Sequence, residues 1–239
     1  MLRFGPAAGP VVVVALPLFE EANRTRAFAV TILRALAERG IAGALPDLPG
    51  QGESLVPTHE TDLVTLRAAF AAAVEALKNP SPIGRGKEAR SAGRVRATHD
   101  RVFALAIRSG TLLDTHAAVT ARYHLSPMSG ADLRRELIRA RQASSREAGD
   151  TFDPASLDIA SEPVELAGNL IAPAFLAVLA AAIPSTEAIR TVRLETEAKP
   201  ADVKLPGSPL WRRAEPDNDP AFAQAVADDI AQWIAACAA

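Results

Sequence analysis

Arg101-Val-Phe-Ala-Leu-Ala-Ile-Arg108-Ser109-Gly110-Thr-Leu-Leu113 is the stretch that decides the fold. Six apolar residues without alternation mark a strand covered on both faces, because a strand with one wet face would alternate. The run stops at Arg108-Ser109-Gly110, which reads as a sharp turn followed by a helix beginning near Ser109. Ala106 and Gly110 flank the turn with side chains small enough for strand and following segment to approach closely. A buried strand feeding such a turn belongs in the middle of a parallel sheet.

The flanking sequence repeats the same unit. Pro10-Val-Val-Val-Val-Ala-Leu-Pro17 is a second run without alternation, and residues 23–39 place Phe28, Ile32, Leu33, Leu36 and Ala37 at helical spacing. Asn23 is the expected N-cap and Gly40 the stop. Strand 41–46 leads into Asp47-Leu-Pro-Gly50-Gln-Gly52-Glu-Ser54, and a helix over about 61–78 carries Leu63, Leu66, Phe70, Val74 and Leu77 on one face. Three consecutive strand–helix units specify a parallel, doubly wound sheet with right-handed crossovers. The expected class is α/β.

Beyond residue 100 the reading places a short strand at 123–126 and an arginine-rich helix at 129–145. An extended piece at 164–167, a helix at 172–183 and a strand at 188–194 follow. An insertion beyond a strand's carboxyl end covers the crevice in such sheets, so 129–185 is expected to be a helical cap or lid on a single domain spanning 1–239. Asp219-Pro220 opens a last helix, with Phe222, Val226, Ile230 and Trp233 as its buried stripe. Residues 79–99, with Pro, Gly, Ser and basic residues between 85 and 96, read as a flexible surface loop.

Composition narrows the function classes. The 239 residues carry 26 basic and 28 acidic side chains and a formal charge of −2, so nothing attracts the chain globally to nucleic acid. The single cysteine, Cys237, excludes an internal disulfide and a cysteine metal cluster, which fits a reducing cytoplasm. No metal and no cofactor are expected. Arg3 ahead of Val11–Phe19 has the outline of a signal sequence, but Glu20 and Glu21 stand where cleavage residues would, and the run reads as a buried strand. No run reaches the ~20 uncharged residues of a transmembrane segment.

Several ordered motifs resemble a known group. The Asp47–Ser54 turn after a strand, and the sharp turn about sixty residues later, are similar to the α/β-hydrolase superfamily. Pro17-Leu-Phe19-Glu20-Glu21-Ala-Asn23-Arg24, Ile107-Arg108-Ser109-Gly110, Ser126-Pro-Met-Ser129-Gly130 and Glu136-Leu-Ile-Arg139-Ala-Arg141 resemble the exosortase A system-associated hydrolase family, type 2. Val164-Glu-Leu-Ala-Gly168 and Pro209-Leu-Trp211-Arg-Arg-Ala-Glu215 resemble its late motifs. The resemblance covers roughly residues 10–235 and implies a hydrolase fold, ester or thioester chemistry, and exosortase-system or exopolysaccharide proteins as partners. The chain departs from the pattern at its start: only nine residues precede the first central strand, so a truncated N-terminal sheet edge is expected.

In that fold a Gly-x-Ser-x-Gly elbow lifts a strained serine above the sheet, and the triad follows in the order serine, acid, histidine. Here Arg108 holds the apex, and a guanidinium has only donors to offer. The histidines are His59, His99, His116 and His124, and none follows position 124. The expected site is therefore a degenerate triad, in which Arg108 pairs with the pocket carboxylates Glu20 or Glu21. The alternative for Arg108 is to anchor a carboxylate or phosphate of a small acyl or anionic ligand. Leu18, Phe19 and Ser109 supply oxyanion-type N–H groups by position. Ser109 is the candidate nucleophile if hydrolysis proceeds through a non-standard site, with Glu215 as a late acid. His116 is expected to pack against the sheet inside the elbow helix, and His124 to be a satisfied structural histidine. Arg134, Arg135, Arg139, Arg141 and Arg146 form a second basic segment.

Overall fold

The computed structural model describes residues 1–79 and 99–237. The basic loop read at 79–99 lies outside the described residues, its two end positions excepted. Seven strands form one sheet: β1 (Leu2–Phe4), β2 (Val11–Ala15), β3 (Ala42–Leu45), β4 (Val102–Ile107), β5 (Ala121–Leu125), β8 (Ile189–Leu194) and β9 (Val203–Leu205). Their spatial order is β1-β3-β2-β4-β5-β8-β9, and every pairing is parallel except β1 with β3. An antiparallel edge followed by a parallel sheet whose first two strands, β3 and β2, stand in reversed chain order is the α/β-hydrolase fold.

Alternate residues of one strand feed two cores, which is why the central runs carry no polar positions. Val11, Val13 and Ala15 join the core under α2 (Leu63–Lys78), α3 (Gly130–Glu147) and α5 (Pro173–Ala181). Val12 and Val14 join the core under α1 (Glu20–Glu38) and α6 (Pro220–Ala236). Phe28 of α1 stacks on Phe222 of α6 at 4.9 Å between ring centroids, and Trp233 meets Phe103 edge-on at 5.4 Å. Asp62, Ser129 and Asp219 cap α2, α3 and α6 by accepting the N–H of the third residue onward.

Three expectations are corrected. A leading antiparallel strand is present, since residues 2–4 pair with β3; three residues with one partly buried side chain leave no periodicity to read. Asn23 does not cap α1, which starts at Glu20 with Phe19 as its N-cap. No α-helix follows the sharp turn: residues 108–112 and 114–116 form two short 3-10 turns, and β5 begins at Ala121. The connection holds only thirteen residues, and Thr111 and Thr115 bond back to the carbonyls of Arg108 and Leu112. Such back-bonding competes with a regular helix.

Between β5 and β8 the chain runs through α3, the turn α4 (Ser156–Ile159), a hairpin of β6 (Val164–Leu166) and β7 (Asn169–Ile171), and α5. Gly130 lets α3 dock on α5, because a Cβ there would sit 1.8 Å from the Leu179 carbonyl oxygen. No helix among the described residues is long and apolar enough to cross a membrane.

Candidate functional site

The sharp turn after β4 is a strained elbow. Arg108 takes φ 55°, a left-handed conformation that costs a residue with a Cβ about 1–2 kcal/mol. Gly110 is required two residues on, since a Cβ there would lie 2.3 Å from the Ala15 carbonyl oxygen. Facing the elbow, Phe19 also has positive φ, at 61°. The two loops are tied together by the Leu18 N–H, which donates to Ser109 Oγ at 2.9 Å in a fully buried bond.

Arg108 is 8% exposed, and its guanidinium is shared between two carboxylates. Its Nε and Nη2 donate to Glu21 at 3.3 and 3.1 Å, and Nη2 donates to Glu136 of α3 at 2.9 Å. Its Cζ lies 5.3 Å from the Trp211 ring centroid, within cation–π range. Trp211 is buried in the 3-10 turn 210–212, and its carbonyl accepts from Arg24 Nη1 at 3.2 Å. An arginine thus sits at the apex with a carboxylate from each of two helices and an indole against it.

The electrostatics follow from one cation serving two anions in a dry place. Burial pushes the Glu21 carboxyl above the ordinary glutamate range; Arg108 opposes that rise, and Glu136 adds to it. Burial works against the Arg108 charge as well, but Glu21 and Glu136 together hold it above the usual arginine range.

Several sequence candidates occupy other positions. Glu20 turns to the Asn23 side-chain amide at 3.1 Å and makes no bond to Arg108. The Leu18 N–H is spent on Ser109 Oγ, so it is not an oxyanion donor. Ser109 is fully buried, with that oxygen accepting from backbone. Glu215 is exposed, past the end of the turn carrying Trp211.

The four histidines lie apart from the elbow serine's hydrogen bond. His99 bonds the Gly9 carbonyl at 2.9 Å, His59 is partly exposed beside Glu60, and His116 is exposed because the helix expected to bury it does not form. His124 is buried on β5, its Nε2 2.9 Å from Asp114 Oδ2. Asp114 is fully buried and also lies 3.8 Å from Arg122 Nε; Arg122 donates in turn to the carbonyls of Asp114 and Ala117. The short elbow connection thus covers the polar face of β5 with carbonyls and one carboxylate. The Asp47 turn is structural too: Asp47 accepts from Arg26 at 2.9 Å, and Ser54 Oγ accepts from the Gly50 N–H.

Glu136 is the functional residue that sequence reasoning missed as a pocket carboxylate. Its signal was its place between the inward-facing Leu133 and Leu137 on the first exposed helix after β5. Two cavities flank the Arg108 cluster. One, of about 350 Å³, opens between α3, the 193–199 segment and the 209–212 turn. The other, of about 300 Å³, lies over Leu18, Phe19, Glu20 and Glu21. Glu136, Trp211 and Arg212 line both.

No protein-family model matches the chain, and no curated protein does. Among solved structures, the chain is similar to ferulic acid-bound Est1E from Butyrivibrio proteoclasticus at 16% identity and TM-score 0.48, over 75% of this chain and 65% of that one. It is similar to a metagenome-derived lipolytic enzyme of the LipS and LipT study at 16% identity and TM-score 0.41, over 75% and 67% of the two chains. It is also similar to Smu.1393c from Streptococcus mutans at 13% identity and TM-score 0.46, over 98% and 92%. The fold assignment rests on this chain's own strand order.

Proposed function

We propose that this chain is a catalytically degenerate α/β-hydrolase-fold protein of the exosortase A system-associated type, serving exopolysaccharide-linked assembly as a binding or scaffold component. The observation that carries the reading is Arg108 at the elbow apex, clamped by Glu21 and Glu136. A protonated guanidinium cannot attack a carbonyl, and Glu21 and Glu136 hold its Nε and Nη2 donors in an internal ion pair. Ser109 supports the same reading: its oxygen is buried in a bond from the Leu18 N–H, and each histidine has a setting of its own away from it. In this reading residues 129–185 act as a cap over a single domain, with α3 presenting Glu136 to the elbow, and the protein works in the cytoplasm.

The test is turnover of short p-nitrophenyl esters and acyl-CoA by wild type, Ser109→Ala and Arg108→Ser. The expected result is background turnover by all three. Turnover by wild type that disappears in Ser109→Ala would establish an ester or thioester hydrolase working through a non-standard site instead.

A further inference from the structure

The 350 Å³ cavity beside the elbow has an unbalanced charge. Its lining holds six cationic side chains, Arg108, Arg135, Arg139, Arg193, Lys199 and Arg212, against three carboxylates, Asp132, Glu136 and Glu197. Four of the cations are engaged. Arg108 is held by Glu21 and Glu136, Arg193 by Glu197 at 2.8 Å, Arg135 by Asp132 at 2.7 Å, and Lys199 reaches Asp132 at 3.5 Å. Arg139 on α3 and Arg212 in the 210–212 turn have no carboxylate partner among the described residues. They reach the cavity from two separate segments, with the Arg193–Lys199 segment as a third wall.

The rest of the lining supports a small polar occupant. Pro127, Met128, Leu194, Pro209 and Trp211 close the cavity, but Met128, Leu194 and Trp211 are almost fully buried and offer little apolar surface. The volume of about 350 Å³ is at the low end for a small-molecule site. One wall is also fixed: Ser126 holds φ 49° and donates to Glu197 at 2.5 Å, and Arg193 bonds the Pro127 carbonyl, so the strand ends of β5 and β8 are locked together.

We infer that this cavity binds a small oxyanion-bearing molecule, phosphate or carboxylate, whose charge is taken by Arg139 and Arg212 as charge-assisted, fork-type hydrogen bonds. The Arg108 cluster is its floor: Glu21 and Glu136 take the Nε and Nη2 donors of that guanidinium and offset its charge. The inference rests on the non-hydrolytic reading of the elbow in that respect, and the two fail separately: ester turnover tests the elbow, anion titration tests the cavity.

The experiment is isothermal titration of the full chain with pyrophosphate in one arm and citrate in the other. It is repeated with Arg139→Gln, Arg212→Gln and, as a control outside the cavity, Arg134→Gln, whose native partner is Asp158 at 3.0 Å. Binding of either anion is expected, with Kd raised at least about tenfold by Arg139→Gln and by Arg212→Gln, and left unchanged by Arg134→Gln. Binding should also weaken severalfold as salt rises from about 50 to about 300 mM. The arm that binds identifies the oxyanion as phosphate or carboxylate. Absence of binding at millimolar concentration in both arms, or binding indifferent to both arginines, overturns the inference.

Discussion

Replacing Arg108 by glycine tests whether the elbow arginine is a structural cation. Two effects oppose each other. Glycine relieves the left-handed strain at φ 55°, a gain of about 1–2 kcal/mol. It also strands Glu21, whose side chain is only 14% exposed; removing one partner of a buried pair costs about 3–5 kcal/mol. The Glu136 contact counts for little, because that side chain is 44% exposed and water screens it. The net expectation at neutral pH is a loss of about 2 kcal/mol, roughly 4–8 °C in Tm for a chain of this length. Adding Glu21→Gln to the glycine variant removes the stranded charge and should restore most of the loss, giving a coupling energy of at least about 1 kcal/mol in a double-mutant cycle. Urea denaturation with a common m-value supplies all four corners. Arg108→Gly as stable as wild type at pH 7, with no coupling to Glu21, would refute the reasoning.

The other predictions are read by the same kind of measurement. Gly110→Ala should fail to give soluble folded protein, because its Cβ lands within 3 Å of Ala15 and Leu16 backbone atoms that cannot move without breaking β2. Ser109→Ala should lower stability by about 1–3 kcal/mol by leaving the buried Leu18 N–H without an acceptor. The pH profile should carry two opposite signs. Glu21 has a folded pKa above its ordinary 4.5, so the native state takes up its proton first and stability rises as pH falls through that raised value, levelling below 4.5. Glu21→Gln should flatten that part of the curve. Asp47 is held below its ordinary 3.8 by Arg26 and the N-terminal amine against the cost of burial. Its contribution is present above 3.8 and lost as pH falls through the lower folded value, so Asp47→Asn should destabilise at neutral pH and have no effect in strong acid.

The central strands were legible because both faces of each are covered, and an unbroken apolar run such as 102–107 has no other comfortable environment. Helix α6 announced itself by its Asp219-Pro220 cap, and α2 by its apolar stripe; with α3 their starts were read to within two residues, although the caps Asp62 and Ser129 were not singled out. The start of α1 was not legible. Phe19 caps it from a strained backbone with no side-chain bond, a geometry set by its packing on Phe175 at 5.6 Å and not by local sequence. The elbow helix was expected from the strand–turn pattern, yet the thirteen-residue link to β5 and its back-bonding threonines leave two 3-10 turns. At the site, Arg108 and a carboxylate of the first loop could be matched from topology alone. Glu136 could not, because its approach depends on how α3 crosses the elbow. Nor could Trp211's position over the guanidinium.

The central claim is that the elbow is a charge-bridged scaffold with no reactive serine. Its most direct test is incubation of the native protein with a fluorophosphonate, a reagent that esterifies activated serines, followed by peptide mass spectrometry. The account predicts Ser109 unmodified in the folded chain, whatever the pH between about 6 and about 9, since no base among the described residues is placed to activate it. An adduct on Ser109 that forms in native protein and does not form in protein unfolded before the reagent is added would contradict it.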